Sequence, residues 1–221
     1  MKAFTQPLHD LSEYEQIVSD LAGHRTPIHI DGCIDSQKCH LISSIGEPYP
    51  VKLIVTYNEI KAKEIYADYR FFDRNVFYYP AKDIIFYNAD IHGNLIVSQR
   101  MAVIKRMLEG EPVTVITTID GLFDRLLPLE EIAKNRLIFR AEDVLPLEAL
   151  SRELTAMGFE RVSQVESPGQ FAVRGGILDI YNLADECPYR LELWGDEIDS
   201  IRSFDAESQR SIENLEKVTI Y

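Results

Sequence analysis

Tyr189-Arg190-Leu191-Glu192-Leu193-Trp194-Gly195-Asp196 is a stretch in which apolar and polar side chains alternate up to a Gly-Asp pair. A period of two places the two leucines on one face of a β-strand and the arginine, glutamate and tryptophan on the opposite face. The Gly-Asp pair is typical of a turn between two strands. The stretch therefore predicts one strand of an antiparallel sheet, whose leucines face a core.

Similar segments lie on both sides of this stretch and extend the predicted sheet. The other strand-like segments are residues 136–140, 170–181, 198–204 and 218–221. One segment with helical spacing of its apolar residues, Leu147–Met157, interrupts them. Strands that follow one another without intervening helices favour an antiparallel sheet with a helix on one face. Residues 135–221 are therefore predicted to form a small α+β domain.

Residues 1–134 differ from this pattern, because short apolar runs alternate there with amphipathic segments. The predicted strands are residues 27–32, 51–55, 76–79 and 113–117, and the predicted helices are residues 8–21, 36–45, 58–71 and 95–108, with a loop after Pro80. Strands that are separated by helices favour a parallel sheet with helices on its faces. The first domain is therefore predicted to be α/β.

The composition limits the classes of function. The net charge of −13 opposes strong nucleic-acid binding by this chain, because such binding draws its affinity from lysine and arginine at phosphates. The three cysteines show no framework spacing, and the amino terminus has no apolar signal core. No apolar run approaches the length of a membrane-spanning helix. We expect a cytoplasmic protein without a membrane partner.

The residues from Gly32 to Cys39 stand where a phosphate-binding loop would lie, between a predicted strand and a predicted helix. A working loop needs glycine before its lysine and a hydroxyl residue after it. Here Gln37 precedes Lys38, Cys39 follows it, and Asp35 adds negative charge. We therefore predict an ordinary turn that does not bind nucleotide, and no cofactor for this chain.

Two other groups of polar residues could suggest an enzyme. Residues 196–199, Asp-Glu-Ile-Asp, resemble a helicase acidic box, but the strand before them alternates instead of being continuously apolar, which favours a hairpin tip. Cys33, Cys39 and His40 lack the second ligand pair of a zinc site. We predict neither a catalytic residue nor a metal site.

The outer face of the predicted sheet is the remaining candidate. Tryptophan and arginine are enriched at the energetic centres of interfaces, so Arg190 and Trp194 could form a docking surface. Alternatively, Trp194 fills a gap between the two domains. Arg174 precedes Gly175-Gly176, where a bare backbone permits close approach of a partner or marks a bulge.

Three motifs carry a resemblance to a known family. They are Gly169–Tyr181 (GQFAVRGGILDIY), Pro188–Asp205 (PYRLELWGDEIDSIRSFD) and Ser208–Ser211 (SQRS). They closely resemble the transcription-repair coupling factors and, less closely, the excision-repair protein UvrB. Residues 79–83 and 98–100 are similar to the first domain of the same family.

The resemblance implies a UvrB-like module with a motor-like first domain and an inserted second domain that binds UvrA. The UvrA contacts of the family fall on Arg174, Arg190 and Trp194, and the family often has phenylalanine at the last position. In the coupling factors this first domain has lost nucleotide binding, which agrees with Gln37 and Cys39. The alternative is a UvrB-like, nucleotide-dependent subunit that binds damaged DNA, but UvrB keeps an intact loop.

The resemblance also implies functions that this chain would not perform alone. In the full-length protein, an ATP- and Mg-dependent DNA translocase and a part that binds RNA polymerase would lie beyond Tyr221. We therefore expect a protein-docking fragment rather than a working enzyme.

Overall fold

The computed structural model describes residues 5–82 and 90–221, which form two compact units. The first unit comprises residues 5–82 and 109–124, and the second comprises residues 90–108 and 125–221. Across these residues, none of the helices combines the length and the apolar character needed to cross a bilayer.

The first unit is built on a parallel three-stranded sheet in the order β1-β3-β2. Its strands are β1 (Val51–Thr56), β2 (Val76–Tyr79) and β3 (Val113–Thr118). Strand β3 is central and buried throughout, as expected for a strand with two parallel neighbours. The prediction of a parallel sheet in this half is confirmed.

Helices α1 (Tyr14–Ala22), α2 (Asp35–Ile45), α3 (Glu59–Tyr69) and the short α5 (Ile119–Phe123) complete the first unit, with a 3₁₀ turn at Gln6–Asp10. The α3 helix begins at Glu59 because the Asn58 side chain caps it, accepting a hydrogen bond from the Lys61 N–H at 2.8 Å. The core between α2, α3 and the sheet consists of Cys39, Ala62, Tyr69, Val76, Tyr78 and Ile116.

One predicted strand of the first unit is wrong. Residues 27–32 form no strand, and the short apolar run there has no sheet neighbour among the described residues. Pro27 removes one backbone donor, and His29 and Ile30 are exposed, so the run buries little apolar surface. The loop predicted after Pro80 falls mainly on residues 83–89, outside the described residues.

The second unit contains a six-stranded sheet in the order β10-β9-β8-β7-β6-β5. Its strands are β5 (Glu160–Arg161), β6 (Gln170–Arg174), β7 (Ile177–Ile180), β8 (Tyr189–Trp194), β9 (Glu197–Phe204) and β10 (Ser211–Leu215). All neighbours are antiparallel except the short β5, which is parallel to β6. A separate antiparallel pair joins β4 (Leu137–Arg140) to β11 (Lys217–Ile220).

Helix α7 (Leu147–Ala156) packs on one face of this sheet, as predicted. Leu150 and Leu154 of the helix share a core with Leu191, and Leu193 packs against the same core. The core also contains Phe139, Phe159, Phe171, Leu178, Ile180, Ile198, Ile201, Val218 and Ile220. The predicted inward direction of the leucines of β8 is therefore confirmed.

The glycine pair after Arg174 forms the turn of the β6–β7 hairpin instead of lying within one long strand. Gly175 adopts a positive φ of 60°, which favours glycine. A Cβ atom at Gly176 would lie 2.8 Å from the carbonyl oxygen of Leu193, so the bare backbone is needed inside this domain. Neither a bulge nor the approach of a partner is required to explain the pair.

Helices α4 (Asp90–Glu109) and α6 (Leu129–Lys134) complete the secondary structure of the described chain. Residues 90–108 of α4 belong to the second unit, where the Ser98 Oγ donates to the Leu183 carbonyl at 2.5 Å and Lys105 pairs with Asp185. The predicted boundary after residue 134 divides the chain differently from these units, and it stays a prediction.

Candidate docking surface

The face of the β6–β9 sheet opposite α7 carries a ladder of polar side chains. Cross-strand register aligns Ala172, Asp179, Arg190 and Arg202 in one row. The next row aligns Arg174, Ile177, Glu192 and Ser200. A small apolar cluster of Val165, Ala172 and Phe204 covers one part of this face, so charged groups beside it must be paired.

Asp179 lies at the centre of this face, and its side chain is 0% exposed. Arg190 Nε donates to Asp179 Oδ1 at 2.7 Å, and Arg190 Nη2 donates to Oδ2 at 2.9 Å. Arg174 Nη2 donates to the same Oδ2 at 2.5 Å. A buried carboxylate that accepts from two guanidinium groups is fully satisfied, and the cluster keeps one surplus positive charge.

Arg190 is held on its remaining sides as well. Its guanidinium carbon lies 4.3 Å from the centroid of the buried Phe204 ring, and its Nη2 donates to Gln209 Oε1 at 3.1 Å. Hydrogen bonding to Asp179 raises the pKa of Arg190 above its ordinary value. Only 15% of the Arg190 side chain is exposed. The strand period suggested that Arg190 would face a partner, but in the structure its guanidinium is bound to Asp179.

The two other predicted contact residues lie at the open end of the face. Trp194 is 86% exposed, so its indole is open to solvent at the end of β8. Arg174 keeps 42% of its side chain exposed beside its bond to Asp179. Both residues line a surface cavity of about 400 Å³, together with Gly176, Ile177, Glu192, Leu193 and Asp199.

The Gly195-Asp196 pair forms the turn between β8 and β9, which confirms the predicted hairpin tip. The Asp196 carbonyl accepts a hydrogen bond from the Leu145 N–H at 2.6 Å, and Val144 forms a bridge with Glu197. The tip that carries Trp194 is thus braced by the segment before α7. The indole is presented from a supported hairpin, not from a free loop.

In the first unit, the residues of the predicted degenerate loop lead from Gly32 into helix α2. Gln37 Oε1 accepts a hydrogen bond from the Ile34 N–H at 3.2 Å, so the side chain that replaces the glycine caps the helix. Asp35 accepts from Lys61 Nζ at 2.5 Å and from Lys38 Nζ at 3.3 Å. These bonds lower the pKa of Asp35, chiefly through Lys61.

Cys39 and His40, two of the metal ligands considered from the sequence, have other contacts in the first unit. Cys39 is buried in the core, and this burial raises the pKa of its thiol. The His40 ring stacks on Phe72 with centroids 5.3 Å apart. No group of three or more metal-ligating side chains occurs among the described residues.

Sequence reasoning missed Asp179, the residue that organises the polar face. Its position within the motif Ile177-Leu178-Asp179-Ile180 gave a signal, because an aspartate flanked by apolar residues in a strand must find a partner when buried. The period of β7 alone could not identify that partner. The register with β8 brings Arg190 directly opposite Asp179.

Residues 137–221 match the model of the UvrB interaction domain. The chain is 34% identical over 169 residues to a transcription-repair-coupling factor of Bacillus subtilis (strain 168), an alignment that covers 76% of this chain and 14% of the relative. It is 34% identical over 185 residues to that of Staphylococcus aureus (strain Mu50 / ATCC 700699), covering 81% of this chain and 16% of the relative.

The alignment with the transcription-repair-coupling factor of Staphylococcus haemolyticus (strain JCSC1435) is longer. It extends over 208 residues at 31% identity, which is 93% of this chain and 18% of the relative. The chain therefore spans less than a fifth of the length of these curated relatives.

Proposed function

Because this chain is homologous to part of the transcription-repair-coupling factors and carries a UvrB interaction domain, we propose that its second unit docks UvrA. The observation that carries the proposal is the exposed indole of Trp194 beside Arg174 on a braced hairpin. An aromatic anchor next to an arginine is the side-chain combination that dominates the energy of many protein interfaces.

In this proposal Arg174 and Trp194 make the contacts and Arg190 supports them. The Asp179 cluster leaves one surplus positive charge, which reaches the surface through Arg174. An acidic group of UvrA would pair with that charge, and the indole would be the aromatic anchor of the contact. Arg190 holds Asp179 in place, so it contributes to docking by positioning Arg174.

We assign this chain no chemical step of its own. Docking of UvrA would bring nucleotide-excision repair to a stalled RNA polymerase, in the cytoplasm where the chromosome lies. DNA translocation with ATP and Mg, and binding of RNA polymerase, would belong to other parts of the whole protein. The first unit would be a motor-like domain whose loop at Gly32–Cys39 no longer serves a nucleotide, because Asp35 already engages Lys38 and Lys61.

The test is a calorimetric titration of this chain with UvrA from the same organism. Arg174→Ala and Trp194→Ala should each weaken binding by about 2 kcal/mol. Matched controls are Arg152→Ala on the exposed side of α7 and Phe71→Ala, an exposed aromatic of the first unit. Unchanged affinity of both surface variants would reject this docking surface.

A further inference from the structure

The cavity that Trp194 lines contains charged side chains of both signs. Among the residues that line it, Arg174 is bound to Asp179 and Glu192 is paired with Arg202. The Ser200 hydroxyl also donates to Glu192, at 3.3 Å. These charged groups are therefore largely engaged within the domain.

Asp199 differs from these neighbours. It lines the same cavity as Trp194, it is exposed, and its carboxylate forms no hydrogen bond or ion pair within residues 5–82 and 95–221. The register shift between Glu192 and Leu193 lies opposite Asp199, because Glu192 pairs with Ser200 while Leu193 pairs with Ile198. Asp199 is the extra residue of this β-bulge, and it therefore has no cross-strand partner on β8.

Glu197 adds a second carboxylate on the same hairpin. It is the direct cross-strand neighbour of Trp194, it is exposed, and its side chain forms no ion pair in the part of the chain that the structure describes. Trp194 therefore has Glu197 as its cross-strand neighbour and shares one cavity with Asp199 and Arg174. The docking surface thus carries positive charge at Arg174 and negative charge at Asp199 and Glu197, and these two carboxylates are called its negative rim.

We propose that this negative rim receives an arginine of UvrA, stacked on the Trp194 indole and paired with Asp199. A cation over an indole face is attracted by the ring, and a carboxylate beside it adds a charge-assisted hydrogen bond. Arginine fits better than lysine because its planar guanidinium can stack and pair at the same time. The inference rests on the proposed function and deepens it, since it assigns opposite charges to the two ends of the UvrA segment.

The experiment compares four variants of the whole chain in titrations with UvrA at two salt concentrations. Asp199→Lys should weaken binding by more than about tenfold, and Asp199→Asn by about threefold to tenfold, because the carboxylate is removed in both and repulsion is added in the first. Glu153→Lys makes the same charge change on α7, which packs on the other face of the sheet, and should leave the affinity within about twofold. Trp194→Ala is the fourth variant.

The outcomes separate the two proposals. If Trp194→Ala loses affinity while Asp199→Lys binds as well as the unchanged chain or better, the docking surface stands and the arginine subsite is rejected. If Trp194→Ala has no effect, the docking surface itself is wrong, and the subsite falls with it. Equal losses for Asp199→Lys and Glu153→Lys would also reject the subsite, because they would reflect the overall charge of the domain.

Discussion

Arg190 and Asp179 face each other across β8 and β7 and share two hydrogen bonds of 2.7 and 2.9 Å. Asp179 is fully buried and Arg190 nearly so, which makes this pair part of the interior of the domain. Breaking a buried ion pair by removing one partner leaves the other charge without compensation. The pair is therefore central to the stability of the face from which Trp194 projects.

The Asp179→Asn variant should lower the free energy of unfolding by about 3 to 5 kcal/mol, because Arg190 and Arg174 would then converge without a counter-charge. Urea denaturation followed by circular dichroism measures this change. Asp199→Asn removes the same charge from an exposed position and should alter stability by no more than about 0.5 kcal/mol. Equal effects of the two substitutions would show that the Asp179 cluster does not stabilise the domain.

Asp35 offers a prediction about pH. Its hydrogen bonds with Lys61 and Lys38 lower its pKa in the folded chain below the ordinary value of 3.8. A lowered pKa stabilises the fold at pH values above 3.8, and this contribution is lost as the pH falls through the folded pKa. The difference in free energy of unfolding between the wild-type chain and Asp35→Asn should therefore shrink as the pH falls from about 5 to the pKa of Asp35 in the folded chain.

Carboxyl chemical shifts of Asp35 measured by NMR during an acid titration test this directly. Lys61→Met removes the largest cause of the shift and should raise the pKa of Asp35 toward its ordinary value. Lys63→Met, on the same helix but paired with Glu59, is the matched control and should leave it unchanged. A pKa of Asp35 at or above 3.8 in the unchanged chain would contradict the arrangement of these side chains.

The same ion pairs lead to a prediction about nucleotide. Lys38 is paired with Asp35, and Gln37 caps the helix where a working loop would have glycine. We expect no saturable binding of ATP with Mg²⁺ at millimolar concentration in saturation-transfer NMR. Saturable binding that disappears in Lys38→Ala would instead favour a UvrB-like, nucleotide-dependent function.

The spacing of apolar and polar residues within single segments was sufficient to predict much of this fold. The alternation in residues 189–194 correctly placed Leu191 in the core and Trp194 on the opposite face, because strand period acts within one element. It also placed Arg190 on the face opposite the core. It could not predict that Asp179 would engage Arg190, since that contact depends on the pairing of β7 with β8.

Two other differences also depend on strand pairing. Residues 27–32 looked like a strand by composition, but no neighbouring strand lies beside them in the described chain. Strand β10 was missed because its residues are almost all exposed at the edge of the sheet, so they show no alternation of apolar side chains. Pairing, and not propensity, decided both segments.

The central claim is that UvrA covers Trp194, and the single tryptophan of the chain allows this to be measured. With 5-fluorotryptophan incorporated, the chain gives one ¹⁹F resonance, whose relaxation by a soluble gadolinium chelate reports the exposure of the indole. We predict strong relaxation enhancement in the free chain and a large decrease when UvrA saturates it. Undiminished enhancement in a complex whose formation is established by size-exclusion chromatography would contradict the account.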